Sequence, residues 1–194
     1  FASVKGYLAI KDRIFGSLRK YYLSANKYRE ICDLYCTKYP AELERLQQND
    51  PAVYFRVKAL IYENLQQIDS AEYVTQQAES LLLKESNAAN LANFYKRRGQ
   101  FQLRHQRLNE AIASFRLSNE YALKSHYFPF IIESAAALDS LYVATGNINE
   151  AYHYAKLNYI YTDSNNAVLQ NDQMSEIEIE NNIRLKKLQD EKEE

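Results

Sequence analysis

The feature that most constrains the fold of this 194-residue chain is a repeat with a period of forty residues. The first column of the repeat contains small or aliphatic residues: Ile31, Ala71, Ala111 and Ala151. Three positions earlier stands an apolar column of Tyr28, Ile68, Leu108 and Ile148. Two further columns are mostly aromatic, one with Tyr22, Tyr62, Gln102 and Tyr142, the other with Phe15, Phe55, Tyr95 and Ala135. Several columns at one offset indicate an array of equivalent units.

Each unit has the pattern of two antiparallel helices. In the third unit one apolar face over two helices is predicted to comprise Phe94, Phe101, Leu108, Ala111, Ile112 and Phe115. Turn signals separate the helices at 24–27 (SANK), 85–87 (ESN) and 145–149 (TGNIN), where Gly146 suits a positive φ. Only four Gly and three Pro argue against a sheet protein with many tight turns. The sequence therefore predicts an all-α fold.

The spacing within the later units resembles the tetratricopeptide repeat. Gly99 lies twelve residues before Ala111 and Phe115 four after it, and Tyr142, Gly146 and Ala151 follow the same consensus. The resemblance covers residues 3–165 and implies a right-handed superhelical array, an α-solenoid domain, of four units over residues 1–165. The period exceeds the usual ~34 residues of this family, and we expect the extra residues near Tyr39-Pro40 and Phe128-Pro129-Phe130.

The last segment, residues 166–194, departs from the repeat. It is polar, and between Asp172 and Glu194 it carries eight acidic and four basic residues. Ile177, Asn181, Arg184 and Leu188 follow a four-three-four spacing in which only the ends are apolar. Two interpretations stay open: a solvated helical extension that caps the array, and a two-stranded coiled coil.

Little in the sequence indicates catalysis. The three histidines, His105, His126 and His153, are isolated, and neither a phosphate-binding Gly-rich loop nor an HExxH motif occurs. Cys32 and Cys36 are interpreted as small buried side chains, because two ligands four residues apart make an incomplete metal site. Glu42 and Glu44 are interpreted as one solvated turn. A net charge of -1 gives no general attraction to nucleic acid. We expect neither an enzyme nor a cofactor.

The tetratricopeptide register implies a concave face lined by the first helix of each unit. The implied inward positions are Arg13, Gly16 and Lys20, then Val53, Arg56 and Leu60, then Asn93, Lys96, Gln100 and Arg104, and finally Glu133, Ala136, Ser140 and Val143. The first three units thus present a basic stripe that favours an acidic protein or peptide; the alternative is a set of ordinary solvated faces. Chaperone-binding members use Asn where this chain has Leu60 and Gln100, which argues against that partner.

Four tyrosines near the end of the array point in several directions around one helix: Tyr152, Tyr154, Tyr159 and Tyr161. Packing against the last segment and contact with a partner are both compatible with this pattern.

Irregular repeats followed by a charged helix resemble the extracytoplasmic sensor region of bacterial membrane-anchored two-component and transcriptional regulators. The resemblance implies a non-enzymatic, periplasmic domain that binds a signal and forms a homodimer through its C-terminal helix. No stretch of the chain approaches about 18 uninterrupted apolar residues and no basic-then-apolar leader occurs, so we expect any signal peptide or membrane span to lie outside it. A cytoplasmic adaptor and a peptide-pheromone-binding regulator are the alternatives.

Overall fold

The computed structural model describes the backbone of residues 2–25 and 27–193, and the side chains of residues 6–7, 9–23, 25, 27–176, 178 and 180. These residues are helical, with turns between helices and no strand among them, so the all-α prediction is confirmed. The helices are α1 (Ala2–Ser24), α2 (Tyr28–Asp33), α3 (Pro40–Asn49), α4 (Pro51–Asn64), α5 (Ile68–Glu85), α6 (Ala88–Arg104), α7 (Leu108–Ser125), α8 (Phe128–Ala144) and α9 (Ile148–Glu193), with a π-helical segment at Leu34–Lys38.

The forty-residue period is present in the backbone. Four turns share one hydrogen bond, in which a backbone N–H reaches the carbonyl five residues earlier at 2.8 to 2.9 Å: Lys27 to Tyr22, Gln67 to Tyr62, Arg107 to Gln102, and Asn147 to Tyr142. This bond ends a helix in a Schellman motif, which needs a left-handed residue just before the donor. Gln66, Gln106 and Gly146 have φ of 59°, 60° and 78° there. The positive φ expected at Gly146 is confirmed.

The small-residue column of the repeat is buried in every unit. Ile31, Ala71, Ala111 and Ala151 all lie in the second turn of a helix and are almost inaccessible to solvent. The apolar column three residues earlier behaves differently, because Leu108 and Ile148 are exposed at the starts of their helices. The prediction that Leu108 belongs to the buried face of the third unit was therefore wrong.

Longer helices account for the long period. From α5 to α8 each helix has 17 or 18 residues, joined by short turns. Pro129 lies in the first turn of α8, where its missing N–H removes no helical hydrogen bond. Phe128-Pro129-Phe130 therefore forms the first turn of this long helix and not an inserted loop. At Tyr39-Pro40 the chain does break: Tyr39 donates to the carbonyl of Leu34, ending the π-helical segment, and Pro40 opens α3.

The chain divides into two compact units, Phe1–Ser86 and Asn87–Glu194. In the first unit, α4 and α5 pack together, and α2 packs against both α1 and α4. The core of this unit comprises Ile31, Cys32, Leu34, Tyr35, Val57 and Ile61. Phe15, Leu18 and Tyr22 of α1 pack against that core, which fixes one face of α1. The interrupted helix between residues 28 and 49 distinguishes this unit from the regular hairpins.

In the second unit, α6, α7, α8 and α9 pack consecutively, each on the next. Close approach of α6 and α7 depends on Gly99, because a Cβ there would lie 2.8 Å from Cε2 of Phe115. Ala92, Ala122 and Ile131 form a small core where α6, α7 and α8 meet. The ring of Tyr142 stacks on that of Tyr154 at 5.7 Å between centroids. These contacts place the repeat positions Gly99, Phe115 and Tyr142 in the core of the unit.

Helix α9 continues far past the packed region. It has 46 residues, and the boundary expected at residue 165 falls inside it, without a break. Its first part packs on α8 through Ala151, Tyr154 and Leu157. Of the coiled-coil series Ile177, Asn181, Arg184 and Leu188, every side chain lies outside the described residues. Within the described part of the chain, no helix combines the length and the apolar character needed to cross a bilayer.

Candidate binding surfaces

The predicted binding positions of the first unit lie on two helices. Arg13 and Lys20 are exposed on one face of α1, seven residues or about two helical turns apart. Neither side chain forms an ion pair with any residue whose side chain the structure describes. Arg56, on α4, is half-buried and interacts with other residues of the chain. Of these three cations, Arg13 and Lys20 are therefore the ones placed to meet a partner.

In the second unit four predicted positions share one face of α6: Asn93, Lys96, Gln100 and Arg104. Asn93 and Gln100 are half-buried, and Arg104 is exposed but interacts within the chain. Lys96 is buried, and its ammonium group forms an ion pair with Glu133 of α8. The same ammonium lies 4.7 Å from the centroid of the Phe130 ring, which adds a cation–π contact.

The pair between Lys96 and Glu133 changes the electrostatics expected for α6. Both residues were assigned to inward positions, and the two helices that carry them are near neighbours in this unit. Because the carboxylate offsets the ammonium charge, Lys96 supplies little field to an external ligand. The basic stripe is thus weakened at its third unit. Among its predicted members, Arg13 and Lys20 of α1 are the cations that are both exposed and without an ion pair to a described side chain.

A second charged cluster lies in the first unit around Glu42. This side chain is only 5% exposed and forms ion pairs with Lys11 and Arg45. Arg45 also donates to both carboxylate oxygens of Asp12, at 2.9 and 3.1 Å. Glu44, by contrast, is exposed. The interpretation of Glu42 and Glu44 as one solvated turn was therefore wrong for Glu42, whose carboxylate ties α3 to α1.

This cluster forms one wall of a recess of about 220 Å³ in the first unit. The recess is lined by Asp12, Phe15, Arg19, Tyr35, Glu42, Arg45, Leu46, Asn49 and Asp50. Nη1 of Arg19 donates to the hydroxyl of Tyr35 at 3.3 Å, and no described carboxylate lies within ion-pair distance of it. The recess was missed at the sequence level, because its walls come from segments up to 38 residues apart in the unit that departs most from the repeat.

The four tyrosines of α9 divide into two pairs. Tyr154 is buried against Tyr142, and burial raises the pKa of its hydroxyl. Tyr161 packs edge-on against Phe128 at 5.5 Å. Tyr152 and Tyr159 face solvent with 72% and 75% of their surface exposed. Packing on α8 thus explains Tyr154 and Tyr161, in place of the packing against the last segment that the sequence suggested, and leaves Tyr152 and Tyr159 as a surface feature.

The two cysteines differ in environment. Cys32 is buried, its thiol donates to the carbonyl of Leu60 at 3.7 Å, and burial raises its pKa to about 11. Cys36 is exposed, so the interpretation of both thiols as buried was wrong for this residue. Partial burial also raises the pKa of the Cys36 thiol. A raised pKa keeps a cysteine in its less nucleophilic form.

The histidines occupy unrelated places. His126 ends α7 with φ of 51°, His105 contacts the ring of Phe101 at 4.6 Å, and His153 lies edge-on to Tyr154. Among the side chains that the structure describes, no three His, Cys, Asp or Glu residues are grouped so as to hold a metal ion. The charged and aromatic surfaces described above are therefore the candidates for function.

Comparison with protein-family models, with curated proteins and with solved structures finds no match to this chain.

Proposed function

We propose that this chain is a non-enzymatic domain of the tetratricopeptide type, an α-solenoid that binds a protein or peptide. The observation that carries the proposal is the recurrence of one turn at residues 22–27, 62–67, 102–107 and 142–147, each followed by a buried small or aliphatic residue. Arrays of equivalent helical hairpins serve as extended binding surfaces because stacking leaves one continuous face open to solvent.

The partner proposed is acidic, and it contacts α1. Arg13 and Lys20 support this, since both are exposed on one helix face. Lys96 contributes less than the repeat register implied, because Glu133 offsets its charge. Four other positions remain proposed contacts: Arg56, Asn93, Gln100 and Arg104. They attract an acidic partner less strongly, because they are half-buried or interact with other residues of the chain.

A random-peptide display selection against the purified chain tests this function. We expect enrichment of peptides rich in Asp and Glu, with affinity that falls as salt rises. The double variant Arg13→Glu/Lys20→Glu should weaken binding of a selected, synthesised peptide at least tenfold. The control is Arg29→Glu/Lys84→Glu, which reverses two exposed charges on other helices of the same unit and should leave affinity unchanged.

Selection of no peptide would count against a peptide-binding function altogether. Selection of peptides without acidic residues, or equal affinity for both double variants, would retain the binding function and remove the assignment of its surface to Arg13 and Lys20. The two parts of the proposal are therefore separable.

We further propose that the domain is the periplasmic sensor of a membrane-anchored regulator and that its C-terminal helix pairs with that of a second copy. The uninterrupted course of α9 over 46 residues supports this, because one rigid helix can carry a displacement from the packed region to its far end. Light scattering of the chain with and without residues 172–194 tests the pairing. A dimer that requires those residues is expected; a monomer both with and without them would favour the adaptor.

A further inference from the structure

The first and last helices of the chain each carry an exposed apolar face. On α1 it comprises Tyr7, Ile10 and Ile14, all more than half exposed; we call it the leading face. On α9 it comprises Ile148, Tyr152 and Tyr159, all more than three-fifths exposed; we call it the trailing face. Neighbouring members of the leading face lie three and four residues apart, and those of the trailing face lie four and seven apart. These spacings place each set in one stripe on its helix.

The contact between α7 and α8 shows how two such helix faces are buried against each other. There Asn119 of α7 donates its side-chain amide to Oγ of Ser134 at 2.9 Å and to the carbonyl of Ile131 at 3.3 Å, and Ala122 packs on Ile131. All four residues are buried in this helix–helix contact. The second helix of one hairpin and the first helix of the next therefore meet through these positions.

The trailing face of α9 is equivalent, one period of forty residues later, to the face of α7 that contacts α8. Adding forty to Ile112 and Asn119 gives Tyr152 and Tyr159. Ile112 is half-buried and Asn119 is buried, whereas Tyr152 and Tyr159 are exposed. The difference arises because α8 covers α7 on this side, and no described helix covers α9 in the same way.

The leading face of α1 is equivalent, three periods earlier, to the face of α8 that contacts α7. Subtracting 120 from Phe130 and Ser134 gives Ile10 and Ile14. Phe130 is half-buried and Ser134 is fully buried, whereas Ile10 and Ile14 are exposed. Ile10 and Ile14 of the leading face and Tyr152 and Tyr159 of the trailing face are thus the two halves of one interface type that the second unit already contains in assembled form. The remaining members, Tyr7 and Ile148, correspond to Tyr127 and Leu108, which lie at the exposed edge of that contact.

We propose that the leading face of one copy of this chain docks on the trailing face of a second copy, repeating the packing of α8 on α7. The contact that Asn119 makes with Ser134 becomes, between copies, an apolar contact of Tyr159 with Ile14. Such a contact is heterologous, since two different surfaces meet, and it leaves one leading and one trailing face free at the ends of each assembly. Successive copies therefore add head to tail. This inference rests on the repeat geometry and does not require a peptide ligand.

Sedimentation equilibrium over a range of concentrations tests the proposal. The wild type and the variants are compared in the chain without residues 172–194, so that pairing through the C-terminal helix does not contribute to the mass; the residues of α9 that pack on α8 all lie before residue 172. The mass of this shortened chain should grow with concentration past that of a dimer, because each added copy leaves one leading and one trailing face free. Ile14→Glu and Tyr159→Glu should each lose this growth, because a buried carboxylate without a partner opposes docking. The control is Tyr73→Glu on α5, an exposed tyrosine at a repeat position that is also exposed at Ala113 and His153. It should assemble as the wild type does.

Mixing the two disabled variants gives the decisive observation. Ile14→Glu keeps its trailing face and Tyr159→Glu keeps its leading face, so an equimolar mixture should form one-to-one heterodimers. Growth retained by either single variant would place the contact elsewhere and overturn the proposal, as would a mixture without heterodimers or a wild type of constant mass. Unchanged helicity and thermal midpoint in each variant establish that the substitutions act on association.

Discussion

Gly99 lies directly under the ring of Phe115, and a Cβ built on Gly99 would come within 2.8 to 3.0 Å of three ring atoms. Replacing the glycine with alanine would add helix propensity of about 1 kcal/mol. The added methyl group would also overpack a buried ring, at a cost of about 1–3 kcal/mol. Since the ring is fixed in the core of the second unit, the cost prevails, and Gly99→Ala should lower the thermal midpoint by a few degrees.

Two variants check this assignment. Gly16→Ala is the matched control, because a Cβ at Gly16 meets no atom within 4 Å, so it should stabilise the protein by about 0.5–1 kcal/mol. In a Phe115→Leu background, which lacks the ring atoms that meet the added methyl group, Gly99→Ala should cost less stability than it does in the wild type. A Gly99→Ala protein as stable as the wild type would show that α6 and α7 can separate at little cost.

Ala111 provides a second measure of close helix packing. It is fully buried in the core formed by α7, α8 and α9. Ala111→Leu should destabilise the protein by about 1–3 kcal/mol through overpacking, measured as a shift of the urea midpoint with unchanged slope. Ala113→Leu, on the exposed side of the same helix, is the control and should have an effect within about 0.5 kcal/mol. Equal effects at both positions would contradict the packing described for α7.

The sequence was sufficient to predict features that depend on local spacing. The turns at 24–27, 85–87 and 145–149 follow from local turn residues, and the burial of Ala71, Ala111 and Ala151 follows from the repeat spacing. The ion pairs were not predictable in this way. The pairing of Lys96 with Glu133 depends on how closely α6 approaches α8, and Glu42 is buried because Lys11 and Arg45 neutralise it, although charged residues are ordinarily exposed.

The ion pair of Lys96 with Glu133 predicts a stability defect. Glu133→Gln leaves the buried ammonium without its carboxylate, at an expected cost of about 1–3 kcal/mol. Glu120→Gln is the control, because its partner Lys124 is more than half exposed and such surface pairs contribute about 0–1 kcal/mol. Adding Lys96→Met to Glu133→Gln should restore stability by removing the unpaired charge. A double variant less stable than Glu133→Gln would indicate that the cation–π contact with Phe130 dominates.

Glu42 should contribute more to stability than its neighbour Glu44. Glu42→Gln removes the charge that faces Lys11 and Arg45, and leaves Arg45 with Asp12 as its remaining carboxylate partner. We expect a loss of about 1–3 kcal/mol. Glu44→Gln, at an exposed position two residues further along α3, should change the free energy of unfolding by less than about 0.5 kcal/mol. Urea titration of both variants distinguishes them, and equal midpoints would contradict the buried network.

The thiols predict a reactivity order. Cys36 is exposed and Cys32 is buried, so iodoacetamide should label Cys36 first in the folded protein. Cys32 should react only after unfolding. Mass spectrometry of peptides after a short exposure measures the order, and early labelling of Cys32 would contradict its burial.

The pKa of Cys32 adds a prediction on pH. The folded chain holds this thiol protonated up to about pH 11, whereas the unfolded chain ionises it near the ordinary value of 9.0. The contribution of the Cys32 thiol to the free energy of unfolding is therefore fully present below pH 9. It falls as the pH rises from 9 to about 11, because the unfolded state then loses the proton first. Lysines and tyrosines also titrate in this range, so the measurement is the difference in urea midpoint between the wild type and Cys32→Ala. That difference should shrink with rising pH, whereas a constant difference would mean that the thiol ionises equally in both states.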